Sequence, residues 1–122
     1  MNDKRRLEDL EIYNISISLS EKAWDIYKKL PKNIKYHIGN QFLDSTDSIG
    51  SNISEGFGRY HFKDCIKFYY NSRGSLFETK YWINLLFKRD LININDKYYF
   101  DELLNKMGSK LNSFINQIKS KV

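Results

Sequence analysis

The chain holds one cysteine, one proline and two histidines, and no apolar run of membrane-spanning length. Each scarcity removes a class of function. Cys65 has no second thiol to pair with and no companion for a metal site, so a disulfide framework is excluded. Between Asp64 and Ile66 in a helical pattern, it reads as a small core residue. Di-iron bundles need a glutamate three residues before a histidine on each of two helices. Neither His37 nor His61 has one, and Glu55 and Glu78 stand isolated, so no metal and no cofactor is expected. Gly56-Phe57-Gly58 is followed by no Gly-Lys-Ser or Gly-Lys-Thr, and the phosphate-loop reading fails. Spacing identifies no serine–histidine–acid arrangement. With no membrane-length run and no signal-peptide layout, the expected compartment is the cytoplasm and no membrane partner is expected. The reading is a protein that is not an enzyme.

What is abundant is aromatic and basic. Nine tyrosines, eight phenylalanines and two tryptophans serve 122 residues, enough to fill a small core and to furnish an interface. A chain of this length makes one domain, residues 1–122, with a modest core of its own, so burial against copies of itself is an easy route to stability. The net charge is +5, compatible with an anionic partner but well below a polybasic protein. Residues 1–61 balance, with nine lysines and arginines against nine acids, whereas residues 62–122 carry eleven against six. The whole surplus lies in the second half.

Apolar periodicity divides the chain into four helices. Residues 1–11 read as a charged, frayed lead-in. The first helix is expected over 15–30, with Leu19, Ala23, Ile26, Tyr27 and Leu30 on one face and Pro31 as its stop. Ile15 and Ile17 alternate with polar residues as a strand would, but a lone strand has nothing to pair with. The second helix, 34–56, is unusually small-sided through Ser45, Ser48, Gly50, Ser51 and Ser54, which suits close approach of neighbouring backbones. Gly56 and Gly58 are expected to form its exit turn at positive φ. The third helix, 62–88, repeats through Ile66, Tyr69 or Tyr70, Arg73, Phe77, Tyr81, Leu85 and Lys88. Its apolar arc is wider than one partner helix needs. Asn93, Asn95 and Asp96 offer caps for a fourth helix over 96–119. Four amphipathic segments with short connections make an all-α, antiparallel up-down four-helix bundle.

Two polar features stand out. Glu55 and Arg59 are four apart with the acid first, the better order for a helical ion pair. Glu78, among Phe77, Tyr81 and Trp82, calls for a cationic or amide partner on another helix. Lys63, Lys67, Arg73, Lys80, Lys88 and Arg89, with Lys106 and Lys110 on the fourth helix, are candidate phosphate contacts to RNA or DNA, or else a solvated surface.

The segments Pro31-Lys32-Asn33-Ile34-Lys35-Tyr36, Gln41, Ser48-Ile49, Asn52-Ile53-Ser54-Glu55-Gly56-Phe57-Gly58-Arg59 and Arg73-Gly74-Ser75-Leu76-Phe77-Glu78 carry a family resemblance. They resemble the four-helix bundle proteins encoded by intervening sequences in bacterial 23S ribosomal RNA genes, once labelled the S23 ribosomal protein family. They also look like the accessory variability determinant proteins of diversity-generating retroelements. The likeness runs from about Ile12 to Ile118. It implies a homo-oligomer, commonly a pentameric barrel, and in the accessory branch a ring that binds nucleic acid and a reverse transcriptase. The family positions that carry over are Gln41, Ser48, Asn52, Glu55, Gly56, Gly58, Arg59, Ser75 and Glu78, which look like packing and polar-network positions. After the family glutamine many members carry two arginines, and here Leu43 and Asp44 stand there, with Asp47 one turn on. That departure moves any phosphate binding to the third and fourth helices. The competing reading is a protein–protein adaptor or structural oligomer whose partner meets the aromatic surface.

Overall fold

The computed structural model describes residues 5–122. Four long helices make up most of it: α1 (Glu11–Lys28), α2 (Asn40–Phe57), α3 (Phe62–Lys88) and α4 (Ile94–Lys119). A 3-10 turn, Leu7–Asp9, leads into α1. A helical turn, Lys32–Ile34, and a π-helical stretch, Lys35–Gly39, run directly into α2. α2 and α4 each pack against both α1 and α3, so all four helices surround one core. The fold is an all-α four-helix bundle.

α1 starts earlier than periodicity indicates, and the described part of the lead-in is packed. Leu10 and Ile12 are buried with Ile15, Ser16, Leu19, Ala23 and Ile26 at threes and fours. The Arg6 amide donates to Asp9 Oδ2, and Asn14 Nδ2 donates to the carbonyls of Glu8 and Leu10, fastening the entry turn. Ile17 points outward, which resolves the strand-like alternation in favour of a helix.

Pro31 ends α1 as expected, and the chain resumes helix at once. The π-helical stretch admits one extra residue to a turn and shifts the inward face. It lets Ile38 and Gly39, adjacent in sequence, both turn inward. A methyl group on Gly39 would come within 3.1–3.3 Å of the Ile34 carbonyl oxygen, Leu30 and Tyr27. Tyr27 Oη donates to Asn40 Oδ1 at 2.8 Å and ties α1 to the start of α2.

The small side chains of α2 serve its seams. A Cβ on Gly50 would lie 2.6 Å from Ser16 Oγ of α1, and one on Gly56 would lie 2.7 Å from the ring of Tyr69 on α3. The expectation of positive φ at Gly56 and Gly58 is corrected, since no described glycine has one. Gly56 is still helical and is needed for close approach, whereas Gly58 caps α2 at φ −78° with only ordinary neighbours. The left-handed residue is Asp90, at φ 58°. It closes α3 with the Asp90 amide on the Phe87 carbonyl and the Leu91 amide on the Leu86 carbonyl, the paired bonds of a Schellman end. Asn93 Oδ1 then accepts from the Asp96 amide at 2.8 Å and caps α4. Lys22 of α1 reaches the same Asp96 at 2.8 Å in a largely buried ion pair that sequence spacing could not reveal.

α3 packs through a different line from the one its apolar repeat indicates. The buried line is Cys65, Tyr69, Ser72, Leu76, Thr79, Ile83 and Leu86. Two of these, Ser72 and Thr79, are small hydroxyl residues, which disguised the inward face. Ser72 Oγ donates to the Ile49 carbonyl at 2.8 Å across the α2 seam. Thr79 Oγ1 donates to the Ser75 carbonyl at 2.8 Å and lies 3.0 Å from Ser45 Oγ. Paired in this way, both are tolerated in the core. Among the described residues no helix is long and apolar enough to cross a membrane.

Candidate functional site

With the inward line of α3 fixed, its opposite side is defined. Lys63, Lys67, Tyr70, Gly74, Phe77 and Tyr81 recur at threes and fours along it, and Lys88 follows two turns further on. Phe77 is 61% and Tyr81 59% exposed, two large rings one turn apart on the same outward line. Gly74 has no side-chain or backbone atom near enough for an added Cβ to touch. An interior helical glycine costs about 0.5–1 kcal/mol relative to alanine. Nothing inside the protomer uses the space that Gly74 leaves.

The outward side of α2 differs in every respect. It presents Gln41, Asp44, Asp47, Ser48, Ser51, Glu55 and, at the cap, Gly58, all exposed except the half-buried Ser48. Between Asn40 and Phe57 there are three acids and neither lysine nor arginine. Of Leu43 and Asp44, Leu43 is half-buried against the core and only Asp44 faces solvent.

The basic residues do not gather on one surface. Lys63, Lys67 and Lys88 lie on the aromatic line of α3. Arg73 and Lys80 lie on its flank, with Arg73 over the Tyr70 ring and hydrogen-bonded to Asn112 of α4 at 3.2 Å, and Lys80 over Phe77. Arg89 is exposed just past the end of α3. Lys106 and Lys110 lie towards α1, where Lys106 lines a groove with Asp9, Glu11 and Asn14, and Lys110 pairs with Glu11 at 3.0 Å. Acids thus break up the positive charge of α4.

Among the residues carried by resemblance, Asn52 donates to the Ser48 carbonyl at 2.8 Å, and the Ser75 carbonyl accepts from Thr79. Glu55 and Arg59 pair at 3.6 Å, both well exposed, and the guanidinium stacks on Phe68 at 4.7 Å. The pair spans the exit of α2 and adds at most about 1 kcal/mol. The partner of Glu78 is corrected. Trp82 Nε1 of the same helix donates to its Oε2 at 3.1 Å, an (i, i+4) contact at the surface.

Among the described residues no group of three His, Cys, Asp or Glu side chains could hold a metal ion. Cys65 is buried, its Sγ donating to the Arg59 carbonyl at 3.4 Å. Burial pushes its thiol pKa up, away from the reactive thiolate.

Comparison with known proteins agrees with this picture. Residues 8–113 match the family model for the 23S rRNA-intervening sequence protein. A crystal structure of a protein with unknown function from the S23 ribosomal protein family of Bacteroides thetaiotaomicron superposes with a TM-score of 0.80. It is 24% identical and covers 86% of this chain and 95% of its own, which shows the common fold. No curated protein matches. The chain belongs to the family of 23S rRNA-intervening sequence proteins.

Proposed function

We propose that this protein is a structural bundle that acts by assembling with copies of itself into a ring. One observation carries the reading: the outward line of α3, with Phe77 and Tyr81 uncovered in the turns that follow an unhindered Gly74. Aromatic rings at this exposure lose apolar area to water, and a second protein surface would recover it. An antiparallel, up-and-down order of the helices is supported by the shortness of the non-helical links, residues 29–31, 58–61 and 89–93. Five subunits is the preferred count, on the strength of the family resemblance, and the compartment is the cytoplasm. Light scattering at micromolar concentration should give a mass several times the 14.6 kDa protomer. A folded monomer at that concentration would remove the reading.

Nucleic-acid binding is the second reading, favoured by a positive surplus confined to residues 62–122. Arg73, Lys80 and Arg89 are its best-placed residues, because a ring built on the aromatic line leaves the α3 flank and its C-terminal end open. Such binding would be phosphate-directed, independent of sequence and steeply weakened by salt. Titration with short single-stranded and duplex RNA and DNA at about 50 mM salt tests it, where counterion release still favours binding. No binding under those conditions rejects it. A different protein as the partner of α3 is the remaining outcome, indicated by a monomer that binds no nucleic acid.

A further inference from the structure

We infer that the contact between copies is unlike-to-unlike: the outward face of α3 on one copy seats on the outward face of α2 on the next. The inference rests on the assembly reading above and adds which surfaces meet. Three features of the two faces are complementary. The α2 face carries Asp44, Asp47 and Glu55 with no cation between Asn40 and Phe57, and the α3 face carries Lys63, Lys67 and Lys88. The α3 face is a ridge of rings, and the α2 face is a shallow surface of Ser48, Ser51 and Gly58 that rings can lie on. Gly74 removes the one side chain that would hold the two backbones apart at the middle of the ridge.

A parallel register with Lys63 and Lys67 beside Asp44 and Asp47 lays Tyr70 over Ser51, Gly74 beside Glu55 and Phe77 over Gly58. Pairing α3 with α3 instead would set lysines against lysines along an exposed line, and pairing α2 with α2 would set carboxylates against carboxylates. Like charges in register oppose association. Because the two faces belong to different helices, the contact is heterologous, and repeating it gives a ring where the rotation closes. Asp44 then has a specific place: with Asp47 it builds the complement to the α3 lysines. Lys63 and Lys67 belong to this contact, which leaves phosphate binding to the flank residues.

Charge reversal tests the pairing. All four positions are exposed, so circular dichroism and melting should stay those of the parent. Lys63→Glu with Lys67→Glu should drop the mass by native mass spectrometry towards the 14.6 kDa protomer. Asp44→Lys with Asp47→Lys should do the same, and all four reversals in one chain should restore the parental mass. Gly74→Leu, whose Cβ has no neighbour within 4 Å and which replaces an exposed helical glycine, should fold and fail to assemble. A parent that is itself monomeric defeats the assembly reading. A parental oligomer whose mass neither pair of reversals changes, or one that the fourfold variant does not restore, overturns this face pairing and leaves assembly standing.

Discussion

α2 and α3 share a seam on their inner sides and turn opposite chemistries outward. Along the seam both are small or hydroxyl-bearing, with Gly56 under Tyr69, Ser72 on the Ile49 carbonyl and Thr79 beside Ser45. Outward, α2 is acidic and small-sided, whereas α3 is basic and aromatic. The seam is constrained by space, since atoms there lie closer than an added methyl allows. The outer faces are free of that constraint, so their composition is not explained by folding the protomer. The inner residues account for the fold, and the outer ones are available for recognition.

That division sets an order of effects. The largest is expected at the seam. Gly56→Val forces a branched side chain into the buried ring of Tyr69, and overpacking of this kind should cost about 3 kcal/mol in chemical denaturation. A variant as stable as the parent would show that the α2–α3 approach is looser than described. Thr79→Ala deletes a buried hydroxyl beside Ser45 and should cost about 1–2 kcal/mol. A loss under a few tenths would mean that the polar pairing within the core is dispensable.

Effects should shrink at the rim. Glu55→Gln removes one member of an exposed ion pair and should cost no more than about 1 kcal/mol. A much larger loss would reveal a role for Arg59 that the exposed 3.6 Å contact does not account for. Lys63→Gln with Lys67→Gln should leave protomer stability within about 0.5 kcal/mol, as for ordinary surface substitutions. A clear drop in helicity would place these lysines in the fold and not on its outside.

Cys65 gives a check of the inner side that needs no substitution. Its raised pKa keeps it a neutral thiol at neutral pH, and burial shields it. Iodoacetamide should therefore label it slowly in the native protein and rapidly in denaturant, with native labelling rising only as pH climbs into the thiol's own raised range. Fast native labelling at neutral pH would contradict its burial at the α3 seam.

Much of the fold was legible because apolar spacing and stop signals are local. Pro31 and Asn93 punctuate the chain as their chemistry dictates, and α3 spans the residues its pattern marks. The inward line of α3 was not legible, because Ser72 and Thr79 look like surface residues until their carbonyl and hydroxyl partners are known. The wide apolar arc was visible in the sequence, but its division into a buried line and an exposed one depends on where the neighbouring helices lie. The basic residues were legible as a surplus and not as a surface. Only the fold shows Lys110 turned to Glu11 and Arg73 to Asn112. Lys22 and Asp96 are 74 residues apart, and no local pattern links them.

The most direct test of the central claim is oxidative footprinting of the unmodified protein across a range of concentrations. Trp24 of α1 and Tyr98 of α4, exposed on the two helices outside the proposed contact, serve as internal references. Assembly through α3 should protect Phe77 and Tyr81 progressively as concentration rises, while Trp24 and Tyr98 keep their reactivity. Phe77 and Tyr81 that remain as reactive as the references in an oligomer of established mass would contradict it.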